Sequence, residues 1–326
     1  MNQIIDTTSP TDNFLRDVQH GLSQSQKTLP CKYLYDERGS ELFDAICETG
    51  EYYPTRTELD IMQRNAESIS YQIGTRVMLV EYGSGSSIKT RILLDALDSP
   101  VAYVPVDISE DHLLRTAAEL QATYPDTEIL PVVADFTQPF SLPRSDQAYS
   151  HVALYFPGST IGNFTPAAAG DLLKNMSSML GPQGGLLIGI DLQKDVSTIE
   201  AAYNDKSGIT AEFNLNLLAR INAELSGDFR LDNFRHRAVY NPKEHRIEIS
   251  LVSQCDQSVR IGSTTFRFDQ DEAILTEYSH KYTIDDFAEF ASQFGFSLHK
   301  HWTDDDGYFG VMHLVLDHTS PSSFGP

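Results

Sequence analysis

Arg76-Val77-Met78-Leu79-Val80-Glu81-Tyr82-Gly83-Ser84-Gly85-Ser86-Ser87 (residues 76–87) runs from an unbroken apolar stretch into a cluster of small residues. A continuous apolar run of this kind suits a strand covered on both faces. Ile88, Ile92, Leu93 and Leu97 follow at helical spacing, so the segment reads as strand, tight turn, helix. The pattern recurs. A strand over 101–106 leads into a helix over 113–124, strands at 129–133 and 152–156 follow, and a helix over 165–180 precedes a strand at 185–190. Strands alternating with amphipathic helices predict a doubly wound α/β sheet, parallel through right-handed crossovers.

On either side of this core the rhythm changes. The region 14–57 carries helical fragments that Pro30 and Gly39 are expected to break, and it ends in the aromatic turn Glu51-Tyr52-Tyr53-Pro54. After Asp191, Ile209, Phe213, Leu217 and Ile221 recur every four residues and mark one helical face. Strands are then expected at 235–240, 246–252 and 264–268, as an inserted domain. A helix over 283–294 restores the α/β rhythm. The runs 297–302 and 309–316 flank the acidic turn Asp304-Asp305-Asp306-Gly307 and read as an antiparallel hairpin closing the main sheet. The tail 319–326 is polar and rich in Pro and Ser.

The small residues at Gly83-Ser84-Gly85 let the backbone approach a ligand at the crevice above the strand ends, where α/β sheets take nucleotides. Asp107 ends the next strand, 24 residues after Gly83, where a carboxylate can accept from both hydroxyls of a ribose. Asp135-Phe136 ends the third strand and suits an adenine, the carboxylate accepting from the exocyclic amine and the ring supplying a stacking surface. Each acid alone could equally be an ordinary helix cap. A dinucleotide is disfavoured because Ile88 stands where the third glycine of G-x-G-x-x-G would be.

Composition narrows the partners. With 326 residues the chain is long enough for two domains. Twenty-four Lys and Arg against forty-six Asp and Glu leave a net charge of −22, which repels a phosphate backbone and argues against nucleic acid. No stretch reaches the length of a membrane span, and the first residues carry no secretory pattern, so a cytoplasmic location is expected; a monomer is expected as well. Three cysteines, Cys31, Cys47 and Cys255, suggest neither disulfides nor a zinc site. His299-Lys300-His301 lacks further ligands at metal spacing, so no metal is expected. Gly83-Ser84-Gly85 is not the G-x-S-x-G elbow of a serine hydrolase, and the sequon Asn163-Phe164-Thr165 is incidental.

Three stretches taken together are recognisable: residues 32–43 (KYLYDERGSELF), residues 51–58 (EYYPTRTE) and Glu81-Tyr82-Gly83-Ser84-Gly85. With Phe156-Pro157-Gly158-Ser159-Thr160-Ile161-Gly162-Asn163-Phe164 and Thr276-Glu277-Tyr278-Ser279, they make the chain resemble the histidine-specific N-alpha-methyltransferases of ergothioneine biosynthesis over about 29–316. The resemblance implies a Rossmann-like class I methyltransferase sheet over 58–191 and 281–326. It also implies an α+β amino-acid-binding domain assembled from 14–57 and the insertion 192–280. It assigns Tyr52, Gly83, Lys89, Asp107, Asp135 and Phe136 to S-adenosylmethionine, with Lys89 and Tyr52 near its methionine end. For L-histidine it puts the carboxylate near Asn163 and Tyr203, the α-amine near Gly158 and Thr160, and the imidazole near Glu277 and Ser279.

A carboxylate and a hydroxyl can hold both nitrogens of an imidazole, whereas an indole has one N–H, so this pair favours histidine. Tyr278 and His280 alternate to the other side of that strand. Ile249 stands where the family carries a pocket-lining methionine, which keeps an apolar wall of altered shape. The implied reaction is attack by the α-amine on the sulfonium methyl, three times, to give hercynine. Tyr35 is the candidate to orient the amine or relay its proton through water. The alternatives are methylation of another aromatic amino acid, such as a tryptophan derivative, and a non-catalytic module that binds an amino acid or betaine.

Overall fold

The computed structural model describes residues 10–85, 88–181 and 183–316. Ser86, Ser87 and the 319–326 tail therefore lie outside the described residues. Helices α1 (Pro10–Leu22), α2 (Glu37–Cys47) and α3 (Pro54–Ile73) precede strand β1 (Met78–Tyr82). Then come α4 (Ile88–Ala96), β2 (Ala102–Asp107), α5 (Glu110–Thr123), β3 (Glu128–Ile129), β4 (Val132–Val133), β5 (Val152–Phe156), α6 (Pro166–Leu180) and β6 (Gly185–Asp191). After α7 (Val196–Ala202) and α8 (Ile209–Leu225) come β7 (Phe234–Asn241), β8 (Arg246–Ser253), β9 (Gln257–Ile261), β10 (Thr264–Phe268) and β11 (Ala273–His280). The chain closes with α9 (Ile284–Ser292), β12 (Phe296–Thr303) and β13 (Phe309–Leu316). Two compact units result. One holds the chain up to Tyr53 with Asp195–Ser279; the other holds Pro54–Lys194 and the chain from His280 onward.

In the second unit the strand order is β12-β13-β6-β5-β1-β2-β3, with β4 also pairing β2. β1 is parallel to both β2 and β5, and β5 to β6, while β13 runs antiparallel to β6 and β12. This is the Rossmann-like class I methyltransferase sheet expected from the sequence, closed by the predicted hairpin. Alternate residues serve two cores. Val80, Val104, Leu154 and Ile188 pack with Leu172 and Met176 of α6 and Phe287 of α9. Leu79, Tyr103, Tyr155 and Leu187 pack with Ile61 and Ile69 of α3 and Leu93 of α4. Burial on both faces is why these strands read as continuous apolar runs.

Two local expectations need correction. Gly39 does not break a helix: it lies in the first turn of α2, where its amide donates to the Asp36 side chain at 2.7 Å. A Cβ there would sit 1.7 Å from the Leu34 carbonyl oxygen, so the glycine serves close approach. The expected 129–133 strand is two short pieces, β3 and β4, interrupted at Leu130-Pro131, because proline has no N–H for the ladder. The aromatic turn is followed immediately by the 20-residue helix α3, which the sequence reading did not anticipate; Pro54 occupies its first position, where no N–H is needed.

The first unit carries the three-stranded sheet β11-β8-β7 and the hairpin β9-β10. Within it, Phe213, Leu217 and Ile221 of α8 are buried as their spacing predicts.

On β13 a buried imidazole sets an acid limit to stability. His313 is 5% exposed and its Nδ1 has no hydrogen-bond partner among the described residues. Burial, with His299 and His151 nearby, pushes it down to about 4 from 6.5. A lowered histidine pKa means that the unfolded chain binds the proton first, so stability is full above about 6.5 and is lost as pH falls toward 4. His313→Asn is expected to remove about 2 kcal/mol of the stability loss between pH 7 and 4.5. Denaturant unfolding at the two pH values checks this, and an unchanged slope would refute it.

Candidate active site

The cofactor-end candidates all belong to the second unit except Tyr52. Gly83 follows β1 with a positive φ of 70°, donates its amide to the Val106 carbonyl at 2.9 Å, and would place a Cβ 4.0 Å from the Phe136 ring. A side chain would therefore fill the space beside that ring. Phe136 stacks on Tyr82 at 5.2 Å and 14°, and meets Phe156 edge-on at 5.6 Å. Asp107 closes β2, and one of its oxygens accepts from the Ser109 amide at 3.0 Å. Ser109, not Asp107, occupies the N-cap of α5, so the helix-cap reading does not account for this acid. Burial pushes the Asp107 carboxyl up, against the Ser109, Ile108 and Gly85 amides and His112. Asp135 accepts from the amide and hydroxyl of Thr137 at 3.0 and 2.5 Å. These residues fit an adenosyl group. The small-residue cradle leaves room beside an aromatic ring, and two strand-end carboxylates supply acceptors.

Lys89, in the first turn of α4, is ion-paired with Glu58 of α3. Glu58 is fully buried and also accepts from the Gly158 amide at 2.9 Å and from the Tyr155 hydroxyl at 3.4 Å. Glu81 accepts from the Thr90 and Tyr103 hydroxyls, both at 2.6 Å, and burial pushes it up to about 7. Both acids lie inside stretches that carry the family resemblance, Glu58 in residues 51–58 and Glu81 just before Gly83. Their partners, a lysine 31 positions and a tyrosine 22 positions away, leave no local periodicity to read.

After β5 the chain turns through Gly158 and Thr160, whose hydroxyl donates to the Pro157 carbonyl at 2.9 Å. Ser159 holds a left-handed φ of 57° and its hydroxyl accepts from the Asp191 amide at 2.9 Å. Asn163 ends the short turn Thr160–Asn163 and is half-buried.

The first unit gathers the remaining candidates. Tyr35 lies between Phe43 and Phe213, at 5.6 and 5.4 Å between ring centres; Phe43 meets Tyr52 at 6.1 Å, and Tyr52 meets Tyr203 at 6.1 Å. The Tyr203 hydroxyl is 2.7 Å from the Ser279 hydroxyl. Tyr52, assigned by resemblance to the cofactor, is thus a neighbour of Tyr203 within this unit. The segment holding Tyr35 is pinned by Asp36, which accepts from Asn216 of α8 at 2.7 Å as well as capping α2. His236 fixes the backbone at Tyr203: its Nε2 donates to the Tyr203 carbonyl at 2.9 Å, consistent with Nδ1 accepting from Asn214 at 3.0 Å.

Glu277 and Ser279 share one face of β11, and Thr276 and Tyr278 the other, where the Arg246 guanidinium lies 3.9 Å from the centre of the Tyr278 ring. Burial pushes the Tyr35 and Tyr52 hydroxyls well above their ordinary 10, and the Glu277 charge adds to it. Both are therefore neutral phenols near pH 7, able to donate or accept but not to serve as phenolate bases. Burial and Glu277 likewise push the Cys31 thiol up to about 12, which disfavours its thiolate. Ile249 is a core residue of β8, 4% exposed, between the equally buried Ile247 and Leu251 on its face.

A family described as histidine-specific methyltransferase, S-adenosylmethionine-dependent, matches residues 14–316. The chain is 40% identical over 302 residues to the histidine N-alpha-methyltransferase of Mycobacterium tuberculosis (strain CDC 1551 / Oshkosh), covering 91% of this chain and 92% of that one. Identity to the enzyme of the same name from Mycolicibacterium smegmatis is 40% over 313 residues, 94% of this chain and 96% of that one. The L-tryptophan methyltransferase of Psilocybe serbica is more distant, 27% over 318 residues and 88% of each chain. Because the family match spans both units and every candidate residue, this chain belongs to the histidine-specific, S-adenosylmethionine-dependent methyltransferase family.

Proposed function

We propose that the protein methylates the α-amine of L-histidine three times with S-adenosylmethionine as donor, yielding hercynine on the way to ergothioneine. The observation that carries this reading is the pairing of Glu277 with Ser279 on one face of β11, with Ser279 bonded to Tyr203, in a chain 40% identical to histidine N-alpha-methyltransferases. A carboxylate acceptor and a hydroxyl match the two ring nitrogens of an imidazole, and a lone indole N–H would leave one of them unmet.

The cofactor supplies an electrophilic methyl group when bound, so the protein's work is to align it with the amine and keep that amine unprotonated. In this reading Gly83, Asp107, Asp135, Phe136, Lys89 and Tyr52 hold the cofactor. Gly158, Thr160, Asn163 and Tyr203 orient the amino and carboxylate groups, Ile249 backs the pocket, and Tyr35 acts as a neutral hydroxyl that orients the amine or passes its proton to water. The reading includes a monomeric cytoplasmic enzyme, in which a charge of −22 opposes self-association. Among the described residues no helix is long and apolar enough to cross a membrane.

Purified protein incubated with S-adenosylmethionine and each of the twenty amino acids in turn is expected to give a three-methyl mass gain with L-histidine alone. Methylation of another amino acid with none of histidine would overturn the roles of Glu277 and Ser279.

A further inference from the structure

Glu58 is a buried carboxylate that the proposed reaction does not use directly, yet three groups of the second unit converge on it. Its Oε2 takes both the Lys89 ammonium and the Gly158 amide, the latter at 2.9 Å, and its Oε1 takes the Tyr155 hydroxyl at 3.4 Å. It is 0% exposed, whereas the Lys89 side chain is 18% exposed. The fold makes room for it: a Cβ on Gly189 of β6 would sit 2.4 Å from Glu58 Oε1. Lys89 and Gly158 are themselves close, since a Cβ on Gly158 would lie 3.8 Å from Lys89 Nζ. A long lysine side chain loses up to about 2 kcal/mol of rotamer freedom when fixed, so a buried acid that holds it in advance lowers the entropy a ligand must still remove.

We propose that Glu58 is a positioning residue: its Oε2, shared by the Lys89 ammonium and the Gly158 amide, holds the cofactor-end lysine and the turn after β5 in one register. The inference rests on the assignment of Lys89 to S-adenosylmethionine. Glu58 touches no ligand; it acts through Lys89 and Gly158. Removing its charge weakens the hold on the Lys89 ammonium, while Glu58→Gln keeps the volume that Gly189 makes available.

The test is calorimetric binding of S-adenosylhomocysteine to wild type, Glu58→Gln, Lys89→Met and the double variant, with thermal unfolding run alongside. Glu58→Gln is expected to weaken binding about tenfold, the loss typical of one charged hydrogen bond, and to add less than about twofold in the Lys89→Met background. Gly189→Ala disturbs the Glu58 carboxylate without removing a charge. It is expected to weaken binding in the same direction, again only when Lys89 is present, and it carries the test if Glu58→Gln does not fold. Binding by folded Glu58→Gln within about twofold of wild type, or an equal loss in both backgrounds, would overturn the inference. Lys89→Met binding as tightly as wild type would instead remove the assignment of Lys89 to the cofactor, and the role of Glu58 with it.

Discussion

Replacing Asp191 by alanine is expected to lower the unfolding free energy by about 3–5 kcal/mol at pH 7, the usual cost of removing one partner from a buried ion pair. Asp191 ends β6 at 1% exposure and binds two lysines: Lys281 on Oδ2 at 2.6 Å and Lys194 on Oδ1 at 2.5 Å. The side chains of these lysines are 0% and 5% exposed, so the substitution leaves both ammonium groups buried without the carboxylate they share. The pH dependence has a definite sign. Burial already lowers Lys194 to about 8, with Asp191 the largest influence opposing that fall. A lysine whose folded pKa is depressed makes stability rise with pH between the folded and unfolded values, because the unfolded chain binds the extra proton. Without Asp191 the folded value drops below 8, so the deficit of the variant is largest below that lower value, narrows as pH rises toward 8, and is smaller at pH 9 than at pH 7. Denaturant unfolding of both proteins at pH 7 and pH 9 checks this. A deficit under about 1 kcal/mol, or one that does not narrow, would show that the lysines find other compensation.

Glu277→Gln is expected to reduce kcat/KM for L-histidine by about 100- to 1,000-fold while leaving S-adenosylhomocysteine affinity within about twofold. A site built around a polar partner discriminates strongly because its groups are left unmatched when that partner changes. Glutamine keeps the shape but replaces one acceptor oxygen by a donor, which opposes an imidazole N–H. The same variant offers a check independent of turnover: the Glu277 charge contributes to the raised pKa of Tyr35, so tyrosine titration should move toward lower pH. Unchanged kcat/KM in a variant with the shifted titration would place Glu277 beside Tyr35 but outside substrate recognition.

Much of the fold was legible because its signals are local. The run at 77–80, the glycines after β1 and the apolar runs at β2, β5 and β6 each carry their pattern within a few residues, as does the Asp304–Gly307 turn between β12 and β13. Where the reading erred, a local rule met a tertiary exception. Gly39 is helical because α2 must approach the Leu34 carbonyl, and Pro131 splits a strand because β2 offers a ladder that proline cannot join at that position. Helix α3 escaped notice although its buried Ile61, Met62, Ile69 and Ile73 lie at helical spacing.

By itself the sequence determined the alternating α/β order, the strand-end acids Asp107 and Asp135, and the family, since these depend on residue type and short spacing. Only the tertiary structure decided which buried polar groups meet: Glu58 with Lys89 and Gly158, Glu81 with Tyr103, Asp191 with Lys281, and Tyr203 with Ser279. Burying a charge or hydroxyl is costly unless it finds a partner. That partner is chosen by strands and helices brought together from distant parts of the chain, and no spacing along the sequence records the choice.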